Sequence, residues 1–151
     1  MNDLDKAKDI LASGGYTCVL VKGDEVITSH ERGVAPLLTL LDTYGRLEGF
    51  FAADKTVGVG AAHLYAALGV ASVYANVMSE SAKDILESSE IEHACALSVP
   101  FIINRRGDGP CPIEAVLSPK DTKDEAILKI RKRLQELGTN AKNKNNEDSK
   151  N

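Results

Sequence analysis

The sequence contains no tryptophan and few aromatic residues of any kind, 5% in all. A base-stacking platform for single-stranded nucleic acid therefore has little to be built from. A basic excess is missing too: 18 Lys and Arg stand against 22 Asp and Glu, a formal net charge of −4. General nucleic-acid binding needs a positive footprint that displaces counterions from phosphates, so that class is set aside. Cysteine is scarce, with only Cys18, Cys95 and Cys111 and no C-x-x-C pair. The start MNDLDKAKDI is charged throughout and does not have the form of a secretory leader. Sparse thiols and a charged start imply a reduced, cytoplasmic protein.

From Thr56 to Ser79 there is no Asp, Glu, Lys or Arg, which invites a membrane reading. Gly58, Gly60, His63, Gly69, Ser72 and Asn76 interrupt the run, whereas a spanning helix needs about 20 predominantly apolar residues. A buried helix, a glycine stop and a buried strand fit it better, and no membrane partner is expected.

What is present is an ordinary globular composition, 151 residues with 43% hydrophobic. Residues 139–151 hold three Lys, one Glu and one Asp, with Ala141 the only apolar side chain. Such a stretch cannot bury enough surface to offset its ordering entropy, so 1–138 is expected to be a single domain and 139–151 a disordered polar tail. Without the tail's +1 the folded part carries −5.

Periodicity predicts a short amphipathic helix from Asp3 to Ser13, closed by Gly14-Gly15. Tyr16–Val21 and Val26–Ser29 flank the turn Lys22-Gly23-Asp24-Glu25 and predict a hairpin. A helix over Val34–Tyr44 has Pro36 in its first turn and Gly45 past its end. Gly49–Ala53 predicts a short strand, after which Asp54-Lys55-Thr56 leads into a Gly- and Ala-rich helix ending at Leu68. Ser72–Val77 predicts a strand, and Ser79–Ser89 a helix whose Ser81-Ala82-Lys83-Asp84 has capping-box character. Further on, Val99–Ile103 predicts a strand, Pro112 to about Leu117 a short helix, and Asp121–Leu137 a final amphipathic one. Helices alternating with the later strands imply crossovers and a mixed, partly parallel sheet.

Two constellations could carry chemistry. In Asp54-Lys55-Thr56-Val57-Gly58-Val59-Gly60-Ala61-Ala62-His63, a helix N-terminus beside Lys55 could hold a phosphate or carboxylate. Equally, Thr56 could cap the helix while the glycines serve packing. His63 stands where a dinucleotide fingerprint needs its third glycine. The second is the loop Asn104-Arg105-Arg106-Gly107-Asp108-Gly109-Pro110-Cys111, which opens the helix Pro112-Ile113-Glu114. Pro112 suits the first helical position, making Cys111 the N-cap and Glu114 the third helical residue. Cysteine is a poor cap. Near arginines at a helix start it is a candidate nucleophile, with Glu114 as acid or base; the alternative is a packed thiol in a Gly/Pro turn. His63, His93, Cys95 and Cys111 share no zinc spacing beyond the bare His93-x-Cys95, and His30 offers nothing specific, so no metal is expected. The run Lys129-Ile130-Arg131-Lys132-Arg133 has the pattern of a solvated helix face.

Asp54-Lys55-Thr56-Val57-Gly58, Ser79-Glu80-Ser81-Ala82, and Asn104-Arg105 followed by Cys111-Pro112-Ile113-Glu114 together resemble an uncharacterised prokaryotic domain-of-unknown-function family with a cytidine-deaminase-like fold. The resemblance spans about residues 3–137 and implies an α/β class, specifically a three-layer α/β/α sandwich around a mixed sheet. The zinc deaminases' His-x-Glu and Pro-Cys-x-x-Cys patterns do not carry over. The expected function is then a metal-free, deaminase-like domain without cofactor that binds a small anionic or nucleotide-like ligand. Asp54, Lys55, Gly58, Ser79, Glu80, Asn104 and Arg105 would contact that ligand, with thiol chemistry at Cys111 and Glu114. A non-enzymatic metabolite-sensing or protein-interaction module, with a sheet edge available for a homo-oligomer, is the alternative, and a zinc-dependent nucleoside or nucleotide deaminase the third.

Overall fold

The structure, a computed structural model, describes residues 2–104, 107–118 and 120–149. Helix α1 (Asp3–Gly14) opens on Asn2, whose side chain accepts from the Asp5 amide at 2.8 Å, and closes at Gly15 in the left-handed region. A hairpin follows, β1 (Cys18–Lys22) and β2 (Glu25–Ser29), paired from Cys18↔Ser29 to Lys22↔Glu25. Its two-residue loop has Gly23 at φ +60°; a positive φ there matches the twist of the flanking strands. Helix α2 (Ala35–Tyr44) carries Pro36 in its first turn, as the sequence predicts. The chain then runs β3 (Phe51–Val57), α3 (Val59–Leu68), β4 (Ser72–Ser79), α4 (Glu80–Ser88), β5 (Glu92–Val99), α5 (Pro112–Val116) and α6 (Lys123–Ser149).

The five strands form one mixed sheet in the order β2-β1-β3-β4-β5. β1 is antiparallel to β2 and β3, while β3, β4 and β5 are mutually parallel. Helices cover both faces unequally. α1 packs Ala7 and Leu11 on Val19, Val21 and Ala53 on one side, and the larger cluster on the other joins Leu20, Val73 and Ala75 to Leu37, Leu64, Tyr65, Leu86 and Ile130 of the remaining helices. Among the described residues no helix is long and apolar enough to cross a membrane.

Three element boundaries differ from the sequence-based expectation. Asp54-Lys55-Thr56 extends β3 instead of starting α3, because pairing with β4 continues through Thr56↔Val77 and Val57↔Met78. The outer strand is Glu92–Val99 instead of Val99–Ile103, since the short connection after α4 brings Glu92 directly beside Ser72. The final helix, α6, is Lys123–Ser149 instead of Asp121–Leu137. Once a helix is nucleated, each added residue gains one hydrogen bond for one residue fixed.

Candidate functional site

The parallel strands β3 and β4, both interior to the sheet, end at its same carboxyl end, where each passes into a helix. α3 starts there on Gly58 and α4 on Ser79, and the segment leading to α5 lies across the start of α3. Open α/β sheets commonly bind ligands outside such carboxyl ends. Most of the residues expected to form a site are therefore in one neighbourhood, but their polar groups are turned to internal partners.

Gly58 is the N-cap of α3 and has no side chain with which to hold an amide. The Val59 amide instead donates to Glu114 Oε1 at 2.7 Å, a contact across 55 residues of sequence. A Cβ on Gly58 would overlap that carboxylate oxygen and approach Ile102 Cγ1 to 2.9 Å. Glycine is thus what lets Glu114 reach the helix start. The position where an incoming anion would meet the α3 dipole is filled by the chain's own carboxylate. Burial raises the Glu114 carboxyl above its ordinary pKa, and the Val59 hydrogen bond opposes that rise.

Cys111 is the N-cap of α5, Pro112 its first residue and Glu114 its third, as the sequence predicts. No capping hydrogen bond comes from the Cys111 side chain, and Glu114 is engaged with Val59. The thiol is half-buried against the main core. Asn104 closes its own loop: Oδ1 accepts from the Gly107 and Asp108 amides at 2.9 and 3.3 Å, and Nδ2 donates to Asp108 Oδ1 at 2.9 Å. Arg105 lies outside the described residues.

Ser79 is buried, and its Oγ accepts from the Ala82 amide at 3.2 Å, so it caps α4 two residues before the Ser81 that opens the predicted capping box. Glu80 follows it, exposed. Lys55 is an exposed strand residue whose amide pairs with the Thr17 carbonyl at 3.0 Å, not a side chain beside a helix start.

Asp54 takes a place that sequence did not suggest. Buried in β3 opposite Cys18, it accepts from the Tyr65 hydroxyl of α3 at 2.6 Å on Oδ2 and from the Thr56 amide at 3.2 Å on Oδ1. Burial pushes its carboxyl up to about 6, against the Tyr65 and Thr56 hydrogen bonds that favour the charge. The same burial, with Asp54 nearby, raises the pKa of the Cys18 thiol and the Tyr65 hydroxyl and keeps both protonated. Nothing local in the sequence ties Cys18 or Tyr65 to Asp54: the β1/β3 register brings Cys18 opposite it, and the packing of α3 on the sheet brings the Tyr65 hydroxyl to it.

His63 is buried in α3, which lowers its pKa, although the Asp121 carboxylate opposes the shift. His93 and Cys95 lie on β5, away from it in sequence and topology. Among the described residues no three His, Cys, Asp or Glu side chains converge so as to hold a metal ion.

A model of the family described as "Domain of unknown function (DUF1893)" matches residues 6–134, and the chain belongs to that family. No curated protein matches it. The crystal structure of a DUF1893 family protein from Thermotoga maritima is similar with a TM-score of 0.80 and 24% sequence identity, over 89% of this chain and 90% of that one.

Proposed function

We propose that this DUF1893 chain is a non-enzymatic interaction module on a cytidine-deaminase-like, three-layer α/β/α scaffold, working through the open edge of β5. The strand order β2-β1-β3-β4-β5 with β1 antiparallel, and helices on both faces, supports that scaffold. One observation carries the functional reading. Leu97, Phe101 and Ile103 are more than half exposed, at 56%, 57% and 55%, along and just beyond the sheet's outer strand. Apolar side chains beside unpaired strand amides are a ready template for another chain.

The groups on which catalysis would depend are engaged elsewhere: Glu114 holds the α3 start, Ser79 the α4 start, and Asn104 its own loop. Neither helix start presents the histidine or cysteine that zinc deaminases use there. Free thiols at Cys18, Cys95 and Cys111 suit a reducing, cytoplasmic setting. The test is turnover by the full chain of cytidine, adenosine and their phosphates, with zinc added, followed as ammonia release. Release at the blank is expected. Release that disappears in Cys111→Ser or Glu114→Gln overturns the proposal.

A second reading, binding of a small anionic or nucleotide-like ligand, is favoured by Glu114 itself. The α3 amide already holds a carboxylate, one whose charge burial disfavours. An anion would bind by displacing it. Inorganic phosphate should then raise the melting temperature of Glu114→Ala more than that of the wild type; equal shifts discard this reading.

A further inference from the structure

At the amino end of the parallel strands, away from the starts of α3 and α4, β4 and β5 begin side by side at Ser72 and Glu92. An open depression of about 450 Å³ is found there, lined by Leu4 of α1, Ser72, Glu87 of α4, and Glu92, His93 and Ala94 of β5. Its polar groups lack donors. Ser72 is only 3% exposed, yet no group among the described residues hydrogen-bonds its hydroxyl, although a polar side chain that deep ordinarily has a partner. His93 Nδ1 lies 3.1 Å from the Ile91 carbonyl, which can only accept, so that nitrogen carries the hydrogen. In the neutral ring Nε2 is then a lone pair, and it stands 3.8 Å from Glu87 Oε2. Two acceptors face each other with no donor between them. The surroundings are acidic: residues 84–104 include Asp84, Glu87, Glu90 and Glu92 and no Lys or Arg. Lys8 of α1 is held over the Tyr74 ring, 4.4 Å from its centre, and does not line the depression.

We propose that this depression binds a small aliphatic amine through its ammonium group. An ammonium ion carries three N–H donors and no acceptor, which complements a hydroxyl, an imidazole lone pair and carboxylates. Leu4 and Ala94 give the methylenes of such a ligand apolar contact. A divalent metal fits the donor set less well. Among the described residues no three His, Cys, Asp or Glu side chains converge, whereas such ions take several direct ligands at once. Glu87 and Glu92 come from different elements, so each can serve one end of a diamine. Two ammonium groups on one chain should then bind more tightly than one. An ion pair of His93 with Glu87 is the competing use of these groups, but Glu87 is 80% exposed and a surface pair gains little. The site shares no residue with Gly58 and Glu114 and needs no partner chain at β5, so it stands apart from the readings above.

The experiment titrates the isotope-labelled full chain with 1,4-diaminobutane, 1-aminobutane and 1-butanol and follows its amide resonances, with thermal melts confirming that each variant is folded. The diamine is expected to shift the Ser72, His93 and Ala94 amides in a saturable way, the monoamine to bind several-fold more weakly, and the alcohol to leave them in place. Glu92→Gln should weaken diamine binding by about tenfold. Ser72→Ala should cost about threefold or more, the worth of one hydrogen bond, and Glu87→Gln about threefold, because that carboxylate is exposed. Glu125→Gln makes the same change of charge on an exposed residue of α6 and should leave binding as it is. No saturable shift at millimolar diamine overturns the proposal, as do shifts confined to other residues or an alcohol that binds as well as the amine. Equal losses in Glu92→Gln and Glu125→Gln would mean general attraction to an acidic chain and also overturn it. So would magnesium or zinc ions that shift the same three amides at lower concentration than the diamine.

Discussion

Helices α3 and α4 are the two crossovers of the parallel half of the sheet, and they start side by side in different ways. α4 closes its own first turn, with Ser79 Oγ on the Ala82 amide three residues on. α3 begins at a glycine and borrows its acceptor from Glu114, 55 residues away, and its Tyr65 is tied to Asp54 in the strand before it. A self-capped helix is fixed by its local sequence. One held by distant groups is fixed only when the tertiary structure is complete, so α3 is where small changes should reach furthest.

The largest effect is expected at Gly58. Gly58→Ala puts a Cβ into the space of Glu114 Oε1 and close to Ile102. The backbone there, at φ −102°, is open to any residue, so the penalty is contact and not backbone strain. Displacing the carboxylate loses a charge-assisted hydrogen bond and crowds Ile102, together about 3 kcal/mol. If the clash with Glu114 is the cause, the cost should shrink by at least half in a Glu114→Ala background. Urea unfolding of the four proteins in this cycle measures it, and additive effects would show that the two residues are uncoupled.

Next comes the tie at Tyr65. Asp54 has a folded pKa of about 6 against 3.8 ordinarily, so the folded chain holds this proton more tightly than the unfolded one. The stabilisation is fully present below about pH 4 and is lost as pH rises through about 6, a change of about 3 kcal/mol. Asp54→Asn keeps the shape and a polar partner for the Tyr65 hydroxyl but cannot ionise. The stability difference between wild type and variant should move in the variant's favour across that window and be level on either side. A pH-independent difference would mean that Asp54 does not titrate there.

Glu114 separates hydrogen bond from charge. Its raised pKa means that ionisation works against the fold, so Glu114→Gln, which keeps an acceptor for Val59, should unfold at pH 8 within about 0.5 kcal/mol of wild type or above it. Glu114→Ala leaves that amide unpaired in a part-buried position and should cost about 1–2 kcal/mol. Equal losses in both would make the charge the holding element. The same residue marks how far the sequence could be read. Glu114 as third residue of a helix opening at Pro112 is visible in the spacing of Cys111-Pro112-Ile113-Glu114, because N-terminal proline is a local rule. That its carboxylate would serve α3, and that Asp54-Lys55-Thr56 would be strand and not helix start, depends on register with β4 and on contacts 11 to 55 residues apart. Local patterns do not encode such contacts, which is why the hairpin and α2 were legible and the groups around Gly58 were not.

The smallest effect should be at α4. Ser79→Ala removes the acceptor for the Ala82 amide from a residue that is 1% exposed, at a typical capping cost of about 1 kcal/mol. The loss should be local: amide hydrogen exchange should quicken in the first turn of α4, around Ala82, with little change at Val59 or Tyr65. Gly58→Ala should instead quicken exchange at the start of α3 and in α5 together, because Glu114 joins them. If Ser79→Ala also loosens α3, the two helix starts are coupled through their packing, and the contrast between a self-capped helix and a borrowed cap fails.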